Sequence, residues 1–388
     1  MTETESVLLG LLRTALFNAP LVYHTSVDWD AVLTEAQTQS VLGIVSAQLP
    51  EEIPSEARNA WQGKDTQRLV SFVRYLYVQD RLDAALHEAG IPYAILKGCA
   101  AAVQYPKPIM RTMGDVDFIV PQDRFREAWT LLENLGYVYS HGEEGDRHIA
   151  FHKDGFSFEL HHHFSHEQPA LDAYVWDGLQ NTVTGEVEGH TFSMLPPLAN
   201  GIVLLDHMRS HLQSGMGLRQ TVDWMLYVNR YLDDAAWSGG FCVAAKECGL
   251  ETLAITATRL CQMYLGLPET IAWCRGADES LCERLLDNLL TDGNFGRKYG
   301  AGNKIAVVTA SIKKNGLFHR LQASGECNWK ALKKHPGLKP FAWLYQAFRY
   351  ARQGLTSGRV LHMRQDVQYG EQRTRLMQDL GIHERRSL

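Results

Sequence analysis

Two aspartates stand two residues apart in the run Gly114-Asp115-Val116-Asp117-Phe118-Ile119-Val120. The valines, phenylalanine and isoleucine around the second aspartate are strand formers. Side chains at i and i+2 of a strand point to one face, so both carboxylates converge. Two carboxylates held side by side repel each other unless a cation lies between them. Mg²⁺ suits that position, because it takes oxygen ligands and keeps places for water and phosphate. The pair is the seed of a metal-dependent phosphoryl or nucleotidyl transfer site, for which two ions roughly 3.5–4 Å apart are expected.

The flanking segments supply what such a site needs. Upstream, an apolar run at 91–96 ends at Lys97-Gly98 and is followed by a small-residue helix candidate at 99–105. Strand, glycine turn and helix in that order present backbone N–H groups to a phosphate. Downstream, Phe156-Ser157-Phe158-Glu159-Leu160-His161 alternates as a strand, and Lys153-Asp154-Gly155 is a turn signal, so 148–163 reads as a hairpin. Glu159 faces away from the phenylalanines and is the candidate third carboxylate, as metal ligand or as base toward the acceptor. Lys97 sits beside the turn as a triphosphate contact, and Gly98 serves its backbone geometry. Arg111 has the planar guanidinium that forks onto phosphate oxygens, or it pairs with an acidic loop. His161 shares a face with Glu159, to bond a phosphate or to orient that carboxylate.

Taken together, Leu96-Lys97-Gly98, Arg111 with Gly114-Asp115-Val116-Asp117, His148, and Gly155 with Glu159-Leu160-His161 resemble a bacterial family of largely uncharacterised nucleotidyltransferases. That family belongs to the DNA polymerase β-like superfamily and is distantly related to the aminoglycoside nucleotidyltransferases. His207, His211, Gly217-Leu218-Arg219-Gln220 and Asp223 resemble its helical part. The resemblance spans roughly 90–230. It implies an α+β fold: a small mixed-sheet nucleotidyltransferase domain flanked by N- and C-terminal helical segments. It also implies an NTP substrate and Mg²⁺, with two ions expected. The wider superfamily has Gly-Ser at the turn where this chain has Lys97-Gly98-Cys99; the narrower family shares the Lys-Gly pair, so Lys97 supplies charge in place of a hydroxyl.

The histidines raise a rival chemistry. His148, His152, His161, His162, His163 and His166 lie within 19 residues, and on a strand His161 and His163 share a face, which would suit a transition-metal hydrolase. No His-Glu-x-x-His or Cys-x-x-Cys pattern accompanies them. His207 and His211, spaced i and i+4, read as a polar helix face touching the catalytic domain. Arg219 and Asp223 have the same spacing and read equally as an ion pair or as groups reaching the nucleotide.

The rest of the chain must position these residues. Its 388 residues suffice for two or three domains. Helical patterns fill 1–90, including a stripe of Leu69, Val70, Phe72, Val73, Leu76 and Tyr77. Residues 91–195 alternate strand and helix and form the catalytic domain, with Asp123 as the cap of a helix that Gly136 ends. Pro196-Pro197 marks a boundary, and 196–388 is a C-terminal helical region, broken at 293–296. No uninterrupted apolar run is long enough to span a membrane. Seven cysteines without regular spacing argue against a disulfide framework, and a reducing cytoplasm is the expected compartment.

The net charge of −6 hides an asymmetry. Residues 297–388 carry 18 Lys and Arg against 5 Asp and Glu, whereas the remainder carries 20 against 39. The basic segment either packs on the acidic body, which its interleaved Phe318, Trp329, Phe341, Trp343, Tyr345 and Phe348 favour, or meets an anionic partner such as nucleic acid. A nucleotide-sensing or partner-binding protein is therefore the competing class. The acceptor, a small molecule, a peptide or another group, is not specified by any motif.

Overall fold

In the computed structural model, residues 1–24, 26–142, 147–164, 168–212, 215–294, 298, 317–329, 332, 335–357 and 363–382 are described. The chain divides into two compact units, 1–297 with 380–382, and 298–379 with 383–388. His166, part of the break expected at 293–296 and much of the basic segment lie outside the described residues.

The first unit is α+β. Its strands are β1 (Ala94–Leu96), β2 (Val116–Ile119), β3 (Val138–His141), β4 (His148–Lys153), β5 (Phe156–His161), β6 (Val183–Val187) and β7 (His190–Met194). They form one mixed sheet in the order β3-β4-β5-β2-β1-β7-β6. β2 runs antiparallel to β1 and parallel to β5, and β4 pairs antiparallel with β5.

Alternation divides the sheet into two chemically different faces. Ile95, Val116, Phe118, Ile149, Phe151, Phe158 and Leu160 are fully buried on one. They pack with Phe72, Leu82 and Leu86 of the 34-residue helix Ser55–Glu88, and with Phe125 and Leu132 of the helix Phe125–Asn134. Each such side chain withdrawn from water stabilises the fold by about 1.5–3 kcal/mol. The other face carries Asp117, Glu159, His161 and His148. A slip of one residue would drive those polar groups into the apolar core, so the hydrophobic pattern also fixes where the carboxylates stand. The hairpin turn agrees with this register: Asp154 and Gly155 have φ of 53° and 82°, the left-handed pair that a two-residue turn demands.

Several local expectations are corrected. On the long helix the buried stripe is Phe72, Tyr75, Leu76, Gln79, Leu82 and Leu86, while Val70, Val73 and Tyr77 are exposed. The helix turns Phe72 and its heptad neighbours, not the valines, onto the sheet. Asp123 does not cap: it lies inside a 3-10 turn, Gln122–Arg124, and the helix that follows has no side-chain cap. β5 ends at His161, so His163 does not share its face; His163 turns to Asp172, with Nδ1 to Oδ2 at 3.3 Å.

The second unit contains the helices Leu317–Asn328, Ala342–Ser357 and Met363–Asp379. Trp329 stacks on Tyr345 with ring centroids 5.1 Å apart. Phe318, Phe341 and Phe348 are on the surface rather than in a core. Among the described residues six cysteines are free, and no helix is long and apolar enough to cross a membrane.

A buried ion pair ties the helix Leu218–Tyr231 to the segment entering β2. Arg111 donates from Nε to Asp223 Oδ1 at 2.9 Å and from Nη2 to Oδ2 at 2.7 Å, and the Tyr105 hydroxyl donates to Oδ1 at 2.7 Å. Both charged residues are nearly inaccessible. Removing one partner strands the other charge in the interior, at about 3–5 kcal/mol. Asp223→Ala is therefore expected to lower the urea-unfolding free energy by that amount; a loss under about 1 kcal/mol would contradict the assigned role.

Candidate functional site

The parallel register of β2 and β5 sets Asp117 directly opposite Glu159, and the antiparallel register of β4 and β5 sets His148 opposite His161. Strand alternation then places all four on the polar face. Asp117, 6% exposed, accepts from Lys97 Nζ at 2.7 Å on Oδ1, and His161 Nε2 lies 3.0 Å from the same oxygen. Glu159 bridges the histidines: His161 Nε2 is 3.5 Å from Oε2 and His148 Nε2 is 3.5 Å from Oε1. Phe164 stacks on the His161 ring, centroids 5.2 Å apart. Asp115 lies in the loop just before β2 and is more open to solvent.

Charge crowding is legible in the acidities. Burial, then the negative charges of Glu159 and Asp117, push the Asp115 carboxyl up to about 6. Burial acts in the same direction on Asp117, but the Lys97 ammonium and His161 outweigh it and hold that carboxyl well below the usual range. Burial lowers His148 to about 4, against the pull of Glu159. The helix Pro197–Leu212 brings His207 and His211 within electrostatic reach of Lys97 and Asp117. Burial lowers His207 well below its ordinary value and His211 to about 3, so both rings are neutral at physiological pH.

The turn that holds Lys97 is tightly built. Lys97 has φ 50° and ψ −124°, a backbone region that costs of order 1–3 kcal/mol for a non-glycine residue. Gly98 follows with φ 23°, and a Cβ there would meet the Tyr75 hydroxyl at 2.3 Å. Through that gap the Tyr75 hydroxyl donates to the Asp115 carbonyl at 3.4 Å. Glycine is thus required both for conformation and for the bond that steadies the Asp115 loop. Cys99 is fully buried, and burial pushes its thiol up to about 12, so it offers no polar group at the surface of the turn.

Asp115, Asp117, Glu159, Lys97, Gly98 and His161 are thus brought together. Arg111 is not; its guanidinium is turned to Asp223. Arg219 lies nearer the cluster. Its Nη1 donates to the Thr112 carbonyl at 3.1 Å and stands 3.5 Å from where a Cβ of Gly114 would be, and its charge stabilises ionised Asp115. Arg147 pairs with Asp206 and donates from Nη1 to Ser210 at 3.0 Å, joining the helix Pro197–Leu212 to the start of β4. Sequence reasoning named His148 within the family motif and the histidine cluster but gave it no role beside Glu159 and His161. The signal was present: a two-residue turn at Asp154-Gly155 fixes which residue of β4 faces His161.

Asp115 is protonated more readily than an isolated aspartate, so the three carboxylates and one lysine leave a surplus of negative charge that a divalent cation would relieve; among the described residues the donor atoms within 4.8 Å of one another are those of His148, Glu159 and His161. Because folding raises the Asp115 pKa, its contribution to stability is full below the unfolded value of about 4 and is lost as pH rises through about 6. Asp115→Asn removes that loss. In metal-free thermal melts the variant should gain on the parent between those pH values and hold the gain above them; a difference independent of pH would contradict the crowding.

Comparison with known proteins places these residues in context. The model of a family described as uncharacterised nucleotidyltransferase matches residues 25–266. No curated protein matches the chain. Among solved structures, a crystal structure of an antigenic nucleotidyltransferase-like protein from Paracoccidioides brasiliensis is 17% identical, with 50% of this chain and 92% of that chain covered and a TM-score of 0.31. The family match covers more than half of the chain and includes every residue of the cluster: this protein belongs to the uncharacterised nucleotidyltransferase family.

Proposed function

We propose that the protein is a nucleotidyltransferase of the polymerase β-like type, which moves a nucleoside monophosphate from an NTP to an acceptor and releases pyrophosphate. The observation that carries this is the register of β2 on β5, which sets Asp117 opposite Glu159 with Asp115 two residues before it. In the reaction an acceptor oxygen attacks the α-phosphorus, the bond to the bridging oxygen of the β-phosphate breaks, and pyrophosphate leaves with that electron pair.

Asp115 and Asp117 offer the oxygen donors for Mg²⁺. When bound, Mg²⁺ neutralises the charge that develops on the phosphates and holds their oxygens in line. Glu159, half-buried and 3.5 Å from His161 Nε2, would complete the site as a further ligand or help take up the acceptor's proton. His161 orients both Asp117 and Glu159 through Nε2. Lys97, bonded to Asp117, would neutralise charge on the phosphates, and the Arg219 guanidinium, which favours ionised Asp115, would add to it. Positioning and electrostatics carry such a transfer, with little covalent work asked of the protein.

Pyrophosphate release on incubation with NTP, Mg²⁺ and an acceptor panel is the direct test. Asp117→Asn is expected to lower the rate on the order of a thousandfold, corresponding to about 4 kcal/mol of transition-state stabilisation. Near-parent release by that variant would end the assignment. Glu159→Gln should lose far more activity than His163→Ala, because His163 faces Asp172 rather than the cluster. Equal losses would argue instead for a site built on the histidines.

A further inference from the structure

We propose that His148, Glu159 and His161 form a second cation position that takes a borderline transition-metal ion such as Co²⁺ or Zn²⁺ in preference to Mg²⁺. Each of the three offers one donor atom, and these atoms all lie within 4.8 Å of one another. The Glu159 carboxylate faces both rings: Oε1 is 3.5 Å from His148 Nε2, and Oε2 is 3.5 Å from His161 Nε2. Donors bound about 2.0–2.2 Å from one ion in a tetrahedral arrangement stand roughly 3.3–3.5 Å apart. The two imidazole rings are 5.0 Å apart, centroid to centroid, so gathering the three donors on one ion needs only small side-chain movements.

The donor chemistry separates this position from the neighbouring one. Asp115 and Asp117 are oxygen donors and suit a hard ion. Two imidazoles and one carboxylate suit a softer one. The scaffold is rigid where it matters: β4 and β5 are paired in register across both histidines and Glu159. Three protein ligands leave a coordination place open, as at catalytic rather than structural sites. The side chains of His148 and Glu159 are 29% and 21% exposed, so that open place reaches solvent.

A hydrogen-bonded cluster alone is the competing account, and one feature weighs on its side. His161 Nδ1 is buried without a hydrogen-bond partner. An ion on Nε2 would move the ring proton to that nitrogen and leave it unsatisfied. The histidine ligands of strong zinc sites have that second nitrogen hydrogen-bonded. Affinity here is accordingly expected to fall below that of a closed four-ligand zinc site, yet to resist competition by Mg²⁺.

The inference rests on the proposed nucleotidyl transfer for its place in the reaction, as the second of two ions, and not for its existence. The test is a Co²⁺ titration of chelator-stripped full-length protein without nucleotide, in excess Mg²⁺, read by visible d–d absorption and by calorimetry. One equivalent bound, at least tenfold weaker in both His148→Ala and His148→Gln but unchanged in His163→Ala, is the expected result. Circular dichroism of the variants checks that they fold. No absorption in the parent, or equal binding in the His148 variants, would overturn the proposal. Pyrophosphate release with NTP, an acceptor panel and both Mg²⁺ and Co²⁺ present is measured separately: its absence together with intact Co²⁺ binding would remove the nucleotidyl transfer reading and leave the metal position standing.

Discussion

Negative charge held against its own repulsion is the constraint around which the first unit is arranged. Asp117 and Glu159 are neighbours across the β2–β5 ladder, with Asp115 close enough to feel both. In water such a group would spread apart. Here the backbone ladder and the apolar face beneath it prevent that, because moving either strand would expose Phe118, Phe158 and Leu160. The repulsion is taken up instead by Lys97 on Asp117, by the His161 ring between the carboxylates, and by proton affinity at Asp115. That residual crowding is the physical basis of the proposed cation site.

Elements distant in sequence are recruited to keep those compensating groups in place. The long helix sends Tyr75 through the gap at Gly98 to the Asp115 carbonyl. The helix Leu218–Tyr231 sends Asp223 to Arg111, at the entry to β2. The helix Pro197–Leu212 is bound to β4 through Asp206 and Arg147, and presents neutral histidines toward Lys97 and Asp117. Neutrality there is useful: more positive charge would compete for Asp117, and more negative charge would deepen the repulsion.

Much of the site could be read from residue type and spacing. A period of two around Asp117 and around Glu159 placed both carboxylates opposite the apolar side chains, and the Asp154-Gly155 turn announced the hairpin. Arg111 illustrates the limit. As a sequence element it has the chemistry of a phosphate ligand, and nothing local distinguishes that role from a buried pair with a residue far along the chain. Arg219 is the converse case, its approach to Gly114 depending on how one helix packs. The stripe on the long helix failed for a related reason: Val70, Val73 and Tyr77 are as periodic as Phe72, Leu76 and Gln79, and only packing decides which side meets the sheet.

The sequence by itself determined the local periodicities: which faces are apolar, where the chain turns, and that three carboxylates belong to strand faces or their edges. These are short-range properties, set by backbone geometry and by side-chain partition between water and the core. The tertiary structure alone decided the pairing of β2 with β5, the turning of Arg111 inward, and the meeting of Lys97 and His161 at Asp117. Those outcomes depend on strand order and helix docking, where many weak contacts between distant segments are summed, and no window of neighbouring residues contains that sum.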